Sequence, residues 1–98
     1  MIQIQTPENE EVLSAYLDES SLTVASQTNK SIIFRRYVPI GTDFHPLMVQ
    51  GLSMDTKKVD LLQFCDKDSC IAYTHGGESI RYFVITPKGI EEAKLKFG

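Results

Sequence analysis

Hydrophobic and polar positions follow two rhythms along this chain. Val12, Leu13, Tyr16 and Leu17 recur at i, i+1, i+4 and i+5, the spacing of an amphipathic helix. Thr6 in front of them can cap, Pro7 suits a first helical position, and Glu8, Glu10 and Glu11 suit the positive end of the helix dipole. The pattern predicts a helix ending by Ser20-Ser21, preceded by a short edge strand at Ile2-Gln3-Ile4. From Leu22 the rhythm changes. Leu22-Thr23-Val24-Ala25 is short and β-prone, Gln27-Thr28-Asn29-Lys30 is a turn cluster, and Ser31 to Val38 is rich in β-branched and aromatic residues. Two strands forming a hairpin are expected, with a helix over Ile32–Val38 as the alternative. Pro39 to Asp43 reads as a loop.

The second half predicts further helices. His45 to Gly51 reads as a short helix, with Asp43 as cap, Pro46 in its first turn and Gly51 at its end. Ser53 or Asp55 then caps a second helix carrying Val59, Leu61, Leu62, Phe64 and Cys65 and ending near Asp66 to Ser69. Cys70 to Thr74 is a short strand. His75-Gly76-Gly77-Glu78 is a tight turn, and Ser79 to Ile85 is the return strand, with Ile80 and Tyr82 on one face and Arg81 and Phe83 on the other. Thr86-Pro87 repeats the cap-then-proline device, so a last short helix is expected with Ile90, Ala93 and Leu95 or Phe97 turned inward.

Helix, tight turn, helix, two-stranded hairpin and closing helix, in that order, resemble a winged helix-turn-helix domain. Gly51-Leu52-Ser53-Met54-Asp55-Thr56-Lys57-Lys58-Val59 looks like the turn and start of a recognition helix, and Leu61 and Phe64 stand where that family keeps core residues. Tyr82-Phe83-Val84-Ile85-Thr86-Pro87-Lys88-Gly89 is similar to a wing strand running into its closing segment. The resemblance covers about Phe44 to Lys94. It implies an α+β winged helix-turn-helix fold: residues 1–44 form an N-terminal helix and β-hairpin extension, and residues 45–98 form the winged core.

The function that follows from the resemblance is a transcriptional regulator bound to double-stranded DNA. Its recognition helix, about 54–65, enters the major groove, and its wing, about 70–85, touches the backbone or minor groove. The implied DNA-binding residues are Ser53, Asp55, Thr56, Lys57, Lys58, His75, Ser79 and Arg81, with Met54 and Asp60 as further candidates near base edges. For each residue there is a plainer alternative: Lys57-Lys58 as a solvated face, Arg81 in an ion pair, His75 as an exposed tip residue. A homodimer, joined through the first helix and the strand Ile32–Val38, would double the footprint on DNA. The competing reading is a winged-helix protein-interaction module that binds and inhibits, or adapts, a larger protein machine, since a fold does not fix function.

Charge separates these readings. The chain of 98 residues carries a net charge of −3. Residues 1–29 hold five acids and no Lys or Arg, whereas residues 30–98 hold eight acids and all ten bases. The remainder is mildly basic, but its bases are interleaved with acids, which weighs against a lone DNA-binding monomer, and an acidic first third with a near-neutral remainder suits a protein partner. At this length and an apolar fraction of 42 %, one small globular domain is expected. The polar, acidic stretch Met1 to Glu11 lacks the basic start of a signal peptide, so a cytoplasmic location is expected.

Candidate chemistry is sparse. Cys65 and Cys70 are too poorly matched to His45 and His75 for a zinc site and read as two small semi-buried thiols, with a redox switch as the sharper alternative. Without a Gly-rich phosphate loop, a nucleophile elbow or an H-E-x-x-H motif, neither an enzyme nor a cofactor is expected.

Overall fold

A computed structural model describes residues 9–53, 59–74 and 79–93, with the backbone alone at Ser79 and Ala93. Among these residues there are eight β-strands and no helix. In chain order they are β1 (Glu11–Leu17), β2 (Leu22–Gln27), β3 (Ser31–Ile40), β4 (Asp43–Ser53), β5 (Val59–Asp66), β6 (Ser69–Thr74), β7 (Ser79–Thr86) and β8 (Gly89–Ala93). They form two antiparallel four-stranded sheets, β1-β2-β3-β4 and β5-β6-β7-β8. The sheets stack with β1 against β5 and β4 against β8. Each half of the chain is thus a meander, and the two make a β-sandwich.

This overturns the winged helix-turn-helix expectation. The helix predicted to end at Ser20-Ser21 is strand β1 over Glu11–Leu17. The short helix from His45 to Gly51 lies within the eleven-residue strand β4. The recognition helix of about 54–65 is strand β5 from Val59 onward, and residues 54–58 lie outside the described residues. The closing helix after Thr86-Pro87 is strand β8. The two strands read as a wing do exist and pair as β6 and β7, but they are the middle of a sheet, and the turn read between them lies outside the described residues. The strands read at Leu22 to Ala25 and Ser31 to Val38 are also present, within β2 and β3. The proposed edge strand at Ile2 to Ile4 lies outside the described residues.

Side-chain alternation builds the core. Directly paired residues share a face of the sheet. One face of the first sheet therefore carries the rows Tyr16-Thr23-Arg36-Met48, Ser14-Ala25-Phe34-Gln50 and Glu11-Gln27-Ile32-Leu52. This is the inner face. Ala25, Ile32 and Phe34 are fully buried against Val59, Leu62, Cys70, Ala72, Phe83 and Ile85 of the second sheet. Phe64 closes one side of the core, meeting the Phe34 ring edge-on at 6.1 Å and the Tyr16 ring at 6.0 Å. Burying a Phe side chain contributes roughly 1.5–3 kcal/mol, so Phe34 and Phe83 are principal supports of the sandwich.

Short polar turns join the strands. Asp18 Oδ1 accepts the backbone N–H groups of Ser20 and Ser21 at 2.7 and 2.8 Å, Thr28 Oγ1 accepts those of Lys30 and Ser31, and Asp66 Oδ1 accepts that of Asp68. Thr86 Oγ1 accepts the Lys88 N–H, and Gly89 follows with φ 140°, a conformation that a side chain disfavours. Thr86-Pro87-Lys88-Gly89 is therefore a hairpin turn.

Candidate interaction face

The outer face of the first sheet is the unusual surface. The register places Leu17-Leu22-Tyr37-Pro46, Ala15-Val24-Arg35-Val49 and Val12-Ser26-Ile33-Gly51 on it. Of these twelve positions only Arg35 and Ser26 carry a polar or charged side chain, apart from the Tyr37 hydroxyl. An antiparallel sheet with one wet face normally alternates apolar-in with polar-out. Here the outer positions of β2 and β3 are mostly apolar as well. Val24, Ser26 and Tyr37 are buried, while Leu17 (66 % exposed), Val49 (61 %), Leu47 (62 %) and Val12 (49 %) stand open along the two flanks.

One ion pair closes the centre of this face. Arg35 Nη2 donates to Glu10 Oε2 at 2.8 Å and Nη1 to Glu10 Oε1, while Ser26 Oγ donates to Glu10 Oε1 at 2.7 Å. The Arg35 hydrogen bonds, with help from Ser26, hold the Glu10 carboxyl below its ordinary range against the opposing effect of burial. The same contact raises the Arg35 guanidinium. Two formal charges thus cancel within an apolar surface. Beyond it, the turn after β1 bears Asp18 and Glu19, so that corner of the rim is acidic.

The outer face of the second sheet is mixed. Leu61, Tyr73, Ile80, Ile71, Tyr82 and Val84 share it with Gln63, Asp66 and Glu91.

The residues expected to meet DNA are not gathered into one site among the described residues. Ser53 ends β4 in the first sheet, whereas Ser79 opens β7 and Arg81 lies within it, in the second. Asp60 is an extra residue in β5, exposed, and it begins no helix. Arg81 shares the face of Phe83, as alternation predicted. Its Nε donates to Glu92 Oε2 at 2.7 Å, and its guanidinium sits 5.3 Å from the Phe83 ring centre. Met54, Asp55, Thr56, Lys57, Lys58 and His75 lie outside the described residues.

Sequence reasoning missed Glu10, Arg35, Arg36 and Gln27. One signal was available: a pair of arginines inside an apolar strand must find partners, because an unpaired buried charge is costly. Arg36 points inward, opposite to Arg35. It donates from Nε to Thr23 Oγ1 at 3.0 Å and from Nη2 to Asp68 Oδ1 at 2.9 Å and to the Lys67 carbonyl. It lines a cleft of about 260 Å³ with Met48, Asp68, Ile85, Thr86 and Pro87, where its charge is already met by Asp68.

The thiols offer little chemistry. Cys65 is exposed and Cys70 buried, and burial, with Cys65 nearby, pushes the Cys70 thiol up to about 12. Among the described residues no three His, Cys, Asp or Glu side chains are grouped to hold a metal ion, and no helix is long and apolar enough to cross a membrane. Comparison with known protein families, curated proteins and solved structures finds no match.

Proposed function

We propose that this chain is a non-enzymatic protein-interaction module that docks a larger protein through the outer face of its first sheet. The observation that carries this reading is the twelve-position face with a self-neutralised Arg35–Glu10 centre and open flanks at Val12, Leu17 and Val49. Exposed apolar side chains gathered on the flanks of one sheet face are a form of protein-docking site. The acidic turn after β1 favours a partner whose own apolar patch is bordered by Lys or Arg. The groove-reading mechanism inferred from the resemblance loses its helix, because Val59–Asp66 is a strand.

Site-specific photo-crosslinking in cells expressing the chain tests this. A photoreactive residue at Leu17 is expected to trap a partner of one defined mass, and Val12→Lys should abolish the adduct while leaving the circular dichroism spectrum unchanged. The same probe at Leu61, on the other sheet, should trap none. Equal capture from both positions, or capture untouched by Val12→Lys, overturns the reading. So does a salt-dependent gel shift of random duplex DNA at about 50 mM salt, where phosphate attraction is strong.

A further inference from the structure

We infer that β4 is a self-pairing edge, and that two copies of this chain join through it into a continuous eight-stranded antiparallel sheet. The inference does not depend on the proposed docking function. It begins with charge. The sandwich has four edge strands, β1, β4, β5 and β8. Three of them carry carboxylates along their length, Glu11 on β1, Asp60 and Asp66 on β5, Glu91 and Glu92 on β8, whereas β4 carries one only at its first residue, Asp43. A second copy approaching any of those edges brings like charges together. From Phe44 to Ser53, β4 holds no carboxylate, ammonium or guanidinium group. Natural edges are guarded by charge, proline, bulges or shortness, since their open N–H and C=O groups attract other strands. β4 is the long strand of eleven residues, and its guards, Pro46 and the extra residue Leu47 opposite the Arg36/Tyr37 step, lie toward its start. Beyond Pro46 the strand has no guard but the bulge at Leu47.

Gly51 supplies the second, independent observation. It sits beyond the Leu47 bulge, its φ is not in the left-handed region, and among the described residues a Cβ there would meet nothing nearer than the Ile32 carbonyl oxygen at 3.7 Å. Neither backbone conformation nor packing within one chain requires glycine. Glycine inside a strand weakens it and often marks the close approach of another backbone. A two-fold axis beside Val49, pairing Leu47–Gly51 with itself, sets each Leu47 against the partner's Gly51 and Val49 against Val49. Two exposed branched side chains then gain apolar cover, and the bare position receives the largest of them. The outer faces of the two first sheets become one surface.

Sedimentation equilibrium of the full chain tests the pairing. The expected mass is twice 11.0 kDa at high micromolar concentration, with slowed amide exchange confined to Leu47–Gly51 on concentration. Gly51→Val should leave the monomer folded, with at least its original thermal stability, yet weaken self-association more than about tenfold by crowding the partner's Leu47. Val49→Lys and Val49→Asp should each be monomeric, and an equal mixture of the two should recover the doubled mass. Because only a pair facing across an axis gives that recovery, a folding defect in one variant does not obscure the result. Leu17→Lys, on the far edge, should keep the dimer while losing any partner docked on the face. A monomer at every concentration, or a dimer indifferent to Gly51→Val and to the Val49 pair, overturns the inference.

Discussion

The side-chain amide of Gln27 pairs with the backbone of Val59 as a neighbouring strand would: Gln27 Nε2 donates to the Val59 carbonyl at 2.9 Å, and the Val59 N–H donates to Gln27 Oε1 at 2.9 Å. Gln27 ends β2 and Val59 opens β5, so this buried reciprocal pair ties one sheet to the other. Each buried backbone group left without a partner costs about 1–3 kcal/mol. Gln27→Ala orphans two of them and should lower the unfolding free energy measured by urea titration accordingly. Gln27→Glu should be worse at neutral pH, because a carboxylate cannot donate to the Val59 carbonyl and faces Glu11. Its deficit should shrink on acidification, since a protonated carboxyl restores both the donor and the acceptor. A deficit independent of pH would count against this geometry.

Glu10 should contribute to acid sensitivity, as should Asp18 and Glu92. Hydrogen bonds from Arg35 lower its pKa from an ordinary 4.5, so the unfolded chain binds this proton more readily than the folded one. Its contribution is present above about 4.5 and fades as pH falls through the lower folded value. Arg81 hydrogen bonds act likewise on Glu92. Glu10→Gln should therefore lower stability at neutral pH and flatten the acid limb of the stability profile. A limb as steep as that of the original chain would show that other carboxyls dominate.

Bulges explain which strands were legible in the sequence. β2, β6 and β7 pair with one another or with β3 in unbroken register, and there the alternation reads plainly. In β1 an extra residue, Leu13, falls between the partners of Ser26 and Ala25, so Leu13 packs on the core although Val12 faces out. Apolar side chains on both faces, plus one phase slip, imitate a helical stripe. β5 has two such slips, at Asp60 and Cys65, and β4 has one at Leu47. The turns deceived in a second way. A residue that caps a helix N-terminus also accepts hydrogen bonds in a tight turn, and Thr86-Pro87 does the latter. The interaction face was harder still to read, because a strand apolar on both sides has the same composition whether a second sheet or another protein covers it.

Only one thiol should react in the folded protein. Cys65 is exposed, whereas Cys70 is fully buried with its pKa pushed up to about 12 from an ordinary 9.0. An aromatic disulfide reagent at neutral pH should modify one thiol quickly and the second only on unfolding. The sign in alkali follows. Above about pH 9 the unfolded chain releases this proton while the folded chain keeps it, so stability falls as pH rises from there toward 12. Cys70→Ala should remove that part of the alkaline decline. Rapid modification of both thiols would place Cys70 at the surface instead.

Arg36 and Asp68 form an ion pair whose two ends should differ in weight. The Arg36 side chain is largely buried and also serves Thr23 Oγ1 and the Lys67 carbonyl, whereas the Asp68 side chain is half open to solvent. A solvent-facing pair contributes about 0–1 kcal/mol, so Asp68→Ala should cost little. Arg36→Ala removes three hydrogen bonds and the stem that lines the cleft beside Met48 and Ile85, and should cost about 1–3 kcal/mol. Arg36→Lys should recover only part of this, because a single ammonium cannot reproduce the guanidinium fork that reaches Thr23 and Asp68 together. A double-mutant cycle should give a coupling below about 1 kcal/mol between the two side chains, since most of what Arg36 does is directed at Thr23 and the turn backbone. Equal costs for the two single substitutions, with a coupling that accounts for both, would make the ion pair the main tie at this end of the sandwich.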